Sequence, residues 1–245
     1  KLGAQQKIFD TGPDGGNNLE ALYFDSSDTL YWNINDSNVV QYNYRTTQVF
    51  RDTTAWYHIV CARDTATVKM YVNGDEITSF STSTNTGASN VGRWTHTDQN
   101  VIGKYFLSAS DFLGGYLAEV IQVDGSILTP TSFGEENDEG VWVPIEPPAS
   151  LGTNGFHLDF ESADIGNDAA GSNNWTAGAG SGPNNVFVDS STDDSSTEVT
   201  LYPALDGVNT TNQQGTLSNN NKTMTVSSGN WSGYRINMPV TSGGK

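Results

Sequence analysis

The stretch "WYHIVCARDTATVKMYVNGDEI", Trp56 to Ile77, places the chain's only cysteine three residues after one of its three histidines. A Cys-His site needs both side chains on one face. In a strand, residues an odd number apart point to opposite sides of the backbone, so His58 and Cys61 do not meet. Tyr57, Ile59 and Cys61 then form one apolar face, and Trp56, His58 and Val60 the other, the pattern of a strand covered on both sides. Cys61 reads as a small core hydrophobe. From Thr67 the alternation resumes, with Val68, Met70 and Val72 on one face and Lys69, Tyr71 and Asn73 on the other. Asn73-Gly74 supplies the two positive-φ residues of a tight hairpin turn. A helix over Trp56 to Cys61 would bring His58 and Cys61 to one face, but the β-branched and aromatic content and the Asn-Gly pair favour strands.

Working outward, Leu19 to Phe24, Leu30 to Ile34, Val39 to Tyr44, Trp56 to Ala62, Val68 to Asn73, Glu76 to Phe80 and Tyr116 to Val123 are short alternating runs separated by Gly, Asn, Asp and Ser. Such spacing predicts an all-β sandwich or barrel. One short helix is expected at Thr129 to Phe133, with Thr129 as N-cap and Pro130 in the first turn. After Gly134 comes an acidic run, Glu135 to Glu139, and then proline-rich sequence from Trp142 to Pro148. Proline at this density opposes ladder pairing, so residues 135–200 read as an extended connector carrying one docked strand near 156–161. Residues 201–245 read as the start of a second β module, and 1–134 as the first. The first residue is not methionine and the chain ends Gly243-Gly244-Lys245, which reads as a piece of a longer protein.

The chain has 245 residues, with 11 Lys and Arg against 28 Asp and Glu, a formal charge of −17. A basic footprint for nucleic acid is absent, and this charge repels anionic surfaces. Its size favours solubility and tolerance of salt, without naming a partner. An apolar content of 35% with 26 glycines is low for one compact domain of this length, so part of the chain is expected to be extended. A single cysteine rules out an internal disulfide and leaves the redox compartment open. The sequence contains no run of membrane-spanning length, so membrane insertion is not expected.

The succession "WYHIVCARDTATVKMYVNGDEI", "VIG" and "GGYLAEVIQVDGSILTPTSFG" resembles the laminin-G-like, or concanavalin-A-like, jelly rolls. With "GVWVP", "GTNGFHLDF", "GNDAAGSNNWT" and "GTLSNNNKTMTV" in that order, it also resembles large structural proteins of tailed bacteriophages, notably marine phages. The resemblance implies a jelly-roll sandwich for 1–134, followed by a spacer and a further lectin-like β domain. It further implies that strand sequence precedes Gln5 to Asp10 in relatives, which leaves an open sheet edge here. Calcium is possible, because related jelly rolls hold it.

The same fold hosts glycosidases, so candidate sites need weighing one by one. In laminarinase-type relatives two acids alternate along one strand. In the corresponding-looking strand here, Glu119 is followed at alternate positions by Ile121 and Val123, so the pair is missing and no catalytic residue is assigned. Glu119 reads as an acceptor for loop amides. His157, Asp159 and Glu161 share a face and read as the solvated side of an amphipathic strand. The acids Glu135 to Glu139 and the set Asp10, Asp14, Asp25 and Asp28 lack the spacing of a dedicated calcium loop, so no metal ligands are assigned and they read as solvated charge. Two places combine an aromatic ring with polar neighbours in the manner of a shallow sugar site: Arg93, Trp94, His96 and Asp98 beside Asn90, and Trp32 with Asn33 and Asp36. The competing reading of both tryptophans is core or interface filling.

The resulting expectation is a non-enzymatic virion surface protein, in a tail fibre or capsid decoration. Its partners would be copies of itself, other virion proteins and host surface glycans. A polysaccharide depolymerase with catalysis elsewhere in the full chain, and a purely structural subunit, are the alternatives.

Overall fold

A computed structural model describes residues 2–14, 18–64, 67–87, 92–93, 99–160 and 165–176, and the strand segments 204–205, 215–218, 223–226 and 236–237. The chain divides into two compact units, Lys1–Asp159 with Asn167–Asn174, and Phe160–Gly166 with Trp175–Lys245.

Among its described residues the first unit is all-β apart from one turn of 3-10 helix. Six strands form one antiparallel sheet: β1 (Gln6–Asp14), β2 (Asn18–Phe24), β3 (Thr29–Asp36), β4 (Val39–Val49), β8 (Phe80–Asn85) and β9 (Asn100–Ile102). Their order is β8-β4-β3-β2-β1-β9. Against it packs a three-stranded sheet of β5 (Ile59–Arg63), β6 (Val68–Val72) and β7 (Asp75–Glu76), in the order β5-β6-β7. Two pairs complete the unit: β10 (Val120–Gln122) with β13 (Phe156–Leu158), and β11 (Gly134–Glu136) with β12 (Trp142–Pro144). The expected all-β jelly-roll class holds.

The Trp56–Ile77 stretch behaves largely as its alternation requires. Cys61 pairs with Met70 and Ile59 with Val72. Met70 and Val72 join Leu30, Trp32, Phe50 and Ile77 in the core, with Tyr57, Ile59, Cys61 and Val68 packed around them. Asn73 (φ 50°) and Gly74 (φ 85°) both adopt positive φ, and Ile77 N–H returns to Met70 at 2.8 Å to close the hairpin. Two details differ. The strand starts at Ile59 rather than Trp56, leaving the Trp56 ring 48% exposed. The run Glu76 to Phe80 is broken, because Ile77 turns into the core and β8 begins afresh at Phe80 in the other sheet.

Further along, three expectations need correction. Tyr116 to Val123 is extended over Val120–Gln122 alone: Glu119 takes φ 51°, which breaks the pleat, and Tyr116 is 66% exposed. Trp142 to Pro144 is a hairpin strand rather than connector. Pro144 lies opposite Gly134 at the strand's last position, and Ile145 N–H continues the pairing to Phe133 at 3.0 Å. The short helix does form, at Pro130–Ser132 after Thr129, though the Thr129 side chain makes no capping bond.

The third correction concerns "FHLDF". Phe156, His157 and Leu158 are 4%, 7% and 2% exposed, so His157 is on no solvated face. The turn after Asn167 covers it. Asp168 accepts the backbone N–H groups of His157 (2.9 Å) and Ala170 (3.1 Å) on one oxygen and Asn173 (2.9 Å) on the other. Asn173 Nδ2 in turn donates to the carbonyls of Thr153 and Gly155.

In the second unit, β15 (Gly215–Ser218) and β16 (Thr223–Val226) form an antiparallel hairpin. β14 (Ala204–Leu205) pairs with β17 (Ile236–Asn237).

Candidate functional site

In an antiparallel ladder, directly opposed residues place their side chains on the same face. On the six-stranded sheet, Leu22, Leu30, Trp32 and Tyr44 face the second sheet. The intervening residues therefore line the opposite side. Two rows cross it. One reads Lys7, Tyr23, Tyr31, Arg45 and Thr82; the other reads Asp10, Ala21, Asn33, Asn43 and Thr84.

The first row is aromatic and basic. Tyr23 and Tyr31 meet edge to face, with centroids 4.9 Å apart at 88°. Lys7 Nζ lies 4.2 Å above the Tyr23 ring and 5.6 Å from that of Tyr105. It also bonds Asp10 at 3.2 Å. Arg45 is tied to Asp25 at 2.5 Å and donates from Nε to Thr29 at 3.0 Å. Burial, reinforced by the neighbouring Tyr31, Asp25 and Asp10, pushes the Tyr23 phenol far up, so it stays a neutral hydroxyl. Burial also raises the Asp10 carboxyl, although Lys7 and the Phe106 N–H draw it down.

The second row is made largely of amides. Ala21, between Asp10 and Asn33, is fully buried and leaves the amides to the Asn33–Asn43 end. Asn33 and Asn43 stand opposite each other, and the Oδ1 atom of each is inaccessible and without a hydrogen bond. An unpaired acceptor of this kind costs roughly 1–3 kcal/mol. A turn about the soft χ2 torsion of an amide brings the oxygen outward, where a hydroxyl donor removes that cost. Tyrosine rings beside amides are suited to sugars, whose apolar ring faces stack while their hydroxyls hydrogen-bond.

Of the expected residues that the structure describes, Asn33 alone lies on this face. Trp32, next in the chain, points the other way. It is 7% exposed in the core, and its Nε1 donates to Glu20 at 3.1 Å, so its ring offers no ligand surface. Arg93 is 9% exposed and shares that inner side: its N–H bonds Glu20 at 2.8 Å and its guanidinium holds Asp36 at 2.5 Å and Asn18 at 2.9 Å. Trp94, His96 and Asp98, with Asn90, lie outside the described residues. Tyr23, Tyr31 and Asn43 are absent from the residues expected from sequence, although the alternation of β2, β3 and β4 carries the signal.

The other candidate groups are engaged elsewhere. Glu119 is paired with Nε2 of His157, and that bond is the main cause raising the imidazole's pKa, with Asp159 and Glu146 adding to it and burial opposing. Asp25 holds Arg45, and Asp28 holds Arg51 and the N–H of Gly3. Among the described residues, no three His, Cys, Asp or Glu side chains gather into a metal site.

Comparison with known proteins gives one family and one solved structure. Residues 1–129 match the laminin G domain family described as the concanavalin A-like lectin/glucanases superfamily. No curated protein matches. A crystal structure of an S-layer domain-containing protein (residues 221–444) from Clostridium thermocellum is similar at 19% identity, covering 54% of this chain and 62% of that one, with a TM-score of 0.23. The chain thus spans less than two thirds of that structure.

Proposed function

The chain belongs to the concanavalin A-like lectin/glucanases superfamily, and on that premise we propose that it binds carbohydrate, without cleaving it, on the outward face of its six-stranded sheet. The observation that carries this is the pairing of the Tyr23–Tyr31 row with the Asn33–Asn43 row. Binding rather than hydrolysis is favoured because glycoside cleavage ordinarily takes two carboxyl groups about one bond. On this face Asp10 is fully buried against Lys7; Glu119 lies outside it, beside β10, and is bound by His157.

The setting we propose is the surface of a bacteriophage particle, in a tail fibre or capsid decoration. The ordered motifs of the sequence support this. Weak single sites on many copies become useful through linkage, since later contacts are intramolecular. A second reading, packing between subunits, is favoured by Leu107, Phe112 and Tyr116, which are 50%, 56% and 66% exposed.

Glycan arrays probed with the wild-type chain, Tyr31→Ala and Asn33→Ala test the choice. Binding lost in both variants, with native assembly mass kept, supports the sugar face. Unchanged binding in both removes it. Sugar release during incubation would instead favour a depolymerase.

A further inference from the structure

We propose, resting on that reading of the face, that its ligand is an uncharged glycan rather than a sulfated or uronic acid polymer. Recognition of an anionic sugar needs a cation free to meet it. Among the described residues, the two cations in its rows already have partners: Lys7 holds Asp10, and Arg45 holds Asp25 and the Thr29 hydroxyl. The Lys7 and Asp10 side chains are 6% and 0% exposed, so that pair is beyond a ligand's reach. A sulfate arriving at Arg45 must displace Asp25 and would meet a chain of net charge −17. What the face offers instead is neutral: two phenols, two primary amides and the hydroxyls of Thr82 and Thr84.

Electrophoresis of the whole chain through gels carrying β-glucan, mannan or galactan, and through gels carrying alginate or dextran sulfate, tests this at low and high salt. The expected result is retardation by a neutral polymer, insensitive to salt and weakened about tenfold in Asn43→Ala. Retardation by an anionic polymer that fades with salt but still needs Asn43 overturns the ligand class and leaves the face standing. Retardation that Asn33→Ala and Asn43→Ala both leave intact, or none by any polymer, overturns the face itself and the inference with it.

A different observation carries a second inference. The indole Nε1 of Trp142, on β12, donates to Nδ1 of His58 at 2.9 Å, with ring centroids 5.7 Å apart and tilted by 31°. A Cβ on Gly74 or on Gly134 would overlap the indole, so two glycines form its slot. We infer that Trp142 latches the β11–β12 hairpin onto the three-stranded sheet and that protonation of His58 releases it. Nδ1 accepts only while it has no proton; an imidazolium turns an N–H toward the indole N–H. The residues against His58 do not titrate: Trp142 on β12, and Asn73, whose Oδ1 takes the His58 N–H at 2.8 Å, on the turn. Glu76 is held by Lys69, and burial is the one cause lowering the imidazole's pKa.

The hairpin carries the acids Glu135, Glu136, Asp138 and Glu139, but the bond it makes to His58 comes from the Trp142 indole. His157 has the opposite sign, since its protonated form is stabilised by Glu119, so β13 supplies an internal reference.

Amide hydrogen exchange at about pH 7 and about pH 5, corrected for intrinsic rates, reads the latch across the ordinary histidine value of about 6.5. Residues 134–145 should lose protection in acid while 156–158 keep it. His58→Gln, which retains an acceptor that does not titrate, should abolish the loss. Equal protection of 134–145 at both values, or an acid loss that persists in His58→Gln, overturns the latch.

Discussion

Trp32 and Glu20 meet inside the sandwich, where the indole Nε1 donates to Oε1 at 3.1 Å and Oε2 of the same carboxylate takes the Arg93 N–H at 2.8 Å. Glu20 is 2% exposed. Removing it strands two buried donors, so Glu20→Ala should cost about 3 kcal/mol. Glu20→Gln keeps an acceptor for one of them and should cost about 1 kcal/mol. Urea unfolding followed by tryptophan fluorescence measures both, and equal losses would show that packing rather than hydrogen bonding governs the position.

Cys61 packs against the core, and burial, with Glu20 adding to it, pushes its thiol far above the ordinary range. The thiolate is the reactive form. A disulfide reagent should therefore modify the folded chain slowly and label it at once in denaturant. Cys61→Ser puts a hydroxyl into the same apolar contacts and should destabilise by about 2 kcal/mol.

The His157–Glu119 pair sets a pH dependence whose sign follows from the raised imidazole value. Its stabilisation is complete below the unfolded histidine value of about 6.5 and is lost as pH rises through the higher folded value. His58, with its value lowered by burial, contributes in the reverse sense: fully above about 6.5, and less as pH falls through the folded value. Urea midpoints taken across this range should fall on the alkaline side in wild type and lose that decline in His157→Gln.

Asp168 gathers three backbone N–H groups on one carboxylate that is 4% exposed as a residue. Asp168→Asn retains one oxygen and should cost about 2 kcal/mol; Asp168→Ala should cost about 4 kcal/mol. Limited proteolysis between residues 167 and 174 should accelerate in the same order, and no change in the alanine variant would mean the turn holds without its carboxylate.

A Cβ at Gly74 meets both a positive φ and the Trp142 ring. Gly74→Ala should cost about 3 kcal/mol in the wild-type background and only about 1 kcal/mol, the backbone part, beside Trp142→Ala. Additive losses in the double variant would show that the indole yields freely.

Much of this was legible from period-two alternation, which found β2, β3, β5 and β6 and the Asn73-Gly74 turn. Alternation separates two faces of a strand but does not say which meets the second sheet. Trp32 and Asn33 were therefore paired as one site, though they stand on opposite sides. The Ser/Thr run of β8, FSTSTN, has polar residues on both sides after Phe80, so no apolar pattern announced its strand. Trp142–Pro144 was read from its prolines, whereas its pairing is decided by a distant slot between two glycines. Likewise His157 is buried by a turn that begins ten residues later, a contact no local pattern encodes.

The indole slot also constrains how such a sequence can drift. Gly74, Gly134 and Trp142 are separated in the chain yet occupy one volume, so none of the three is free to vary alone. A side chain gained at either glycine is tolerated only after the tryptophan has already become smaller. Mutational histories that pass through this corner are thereby ordered in time: the large residue must shrink first.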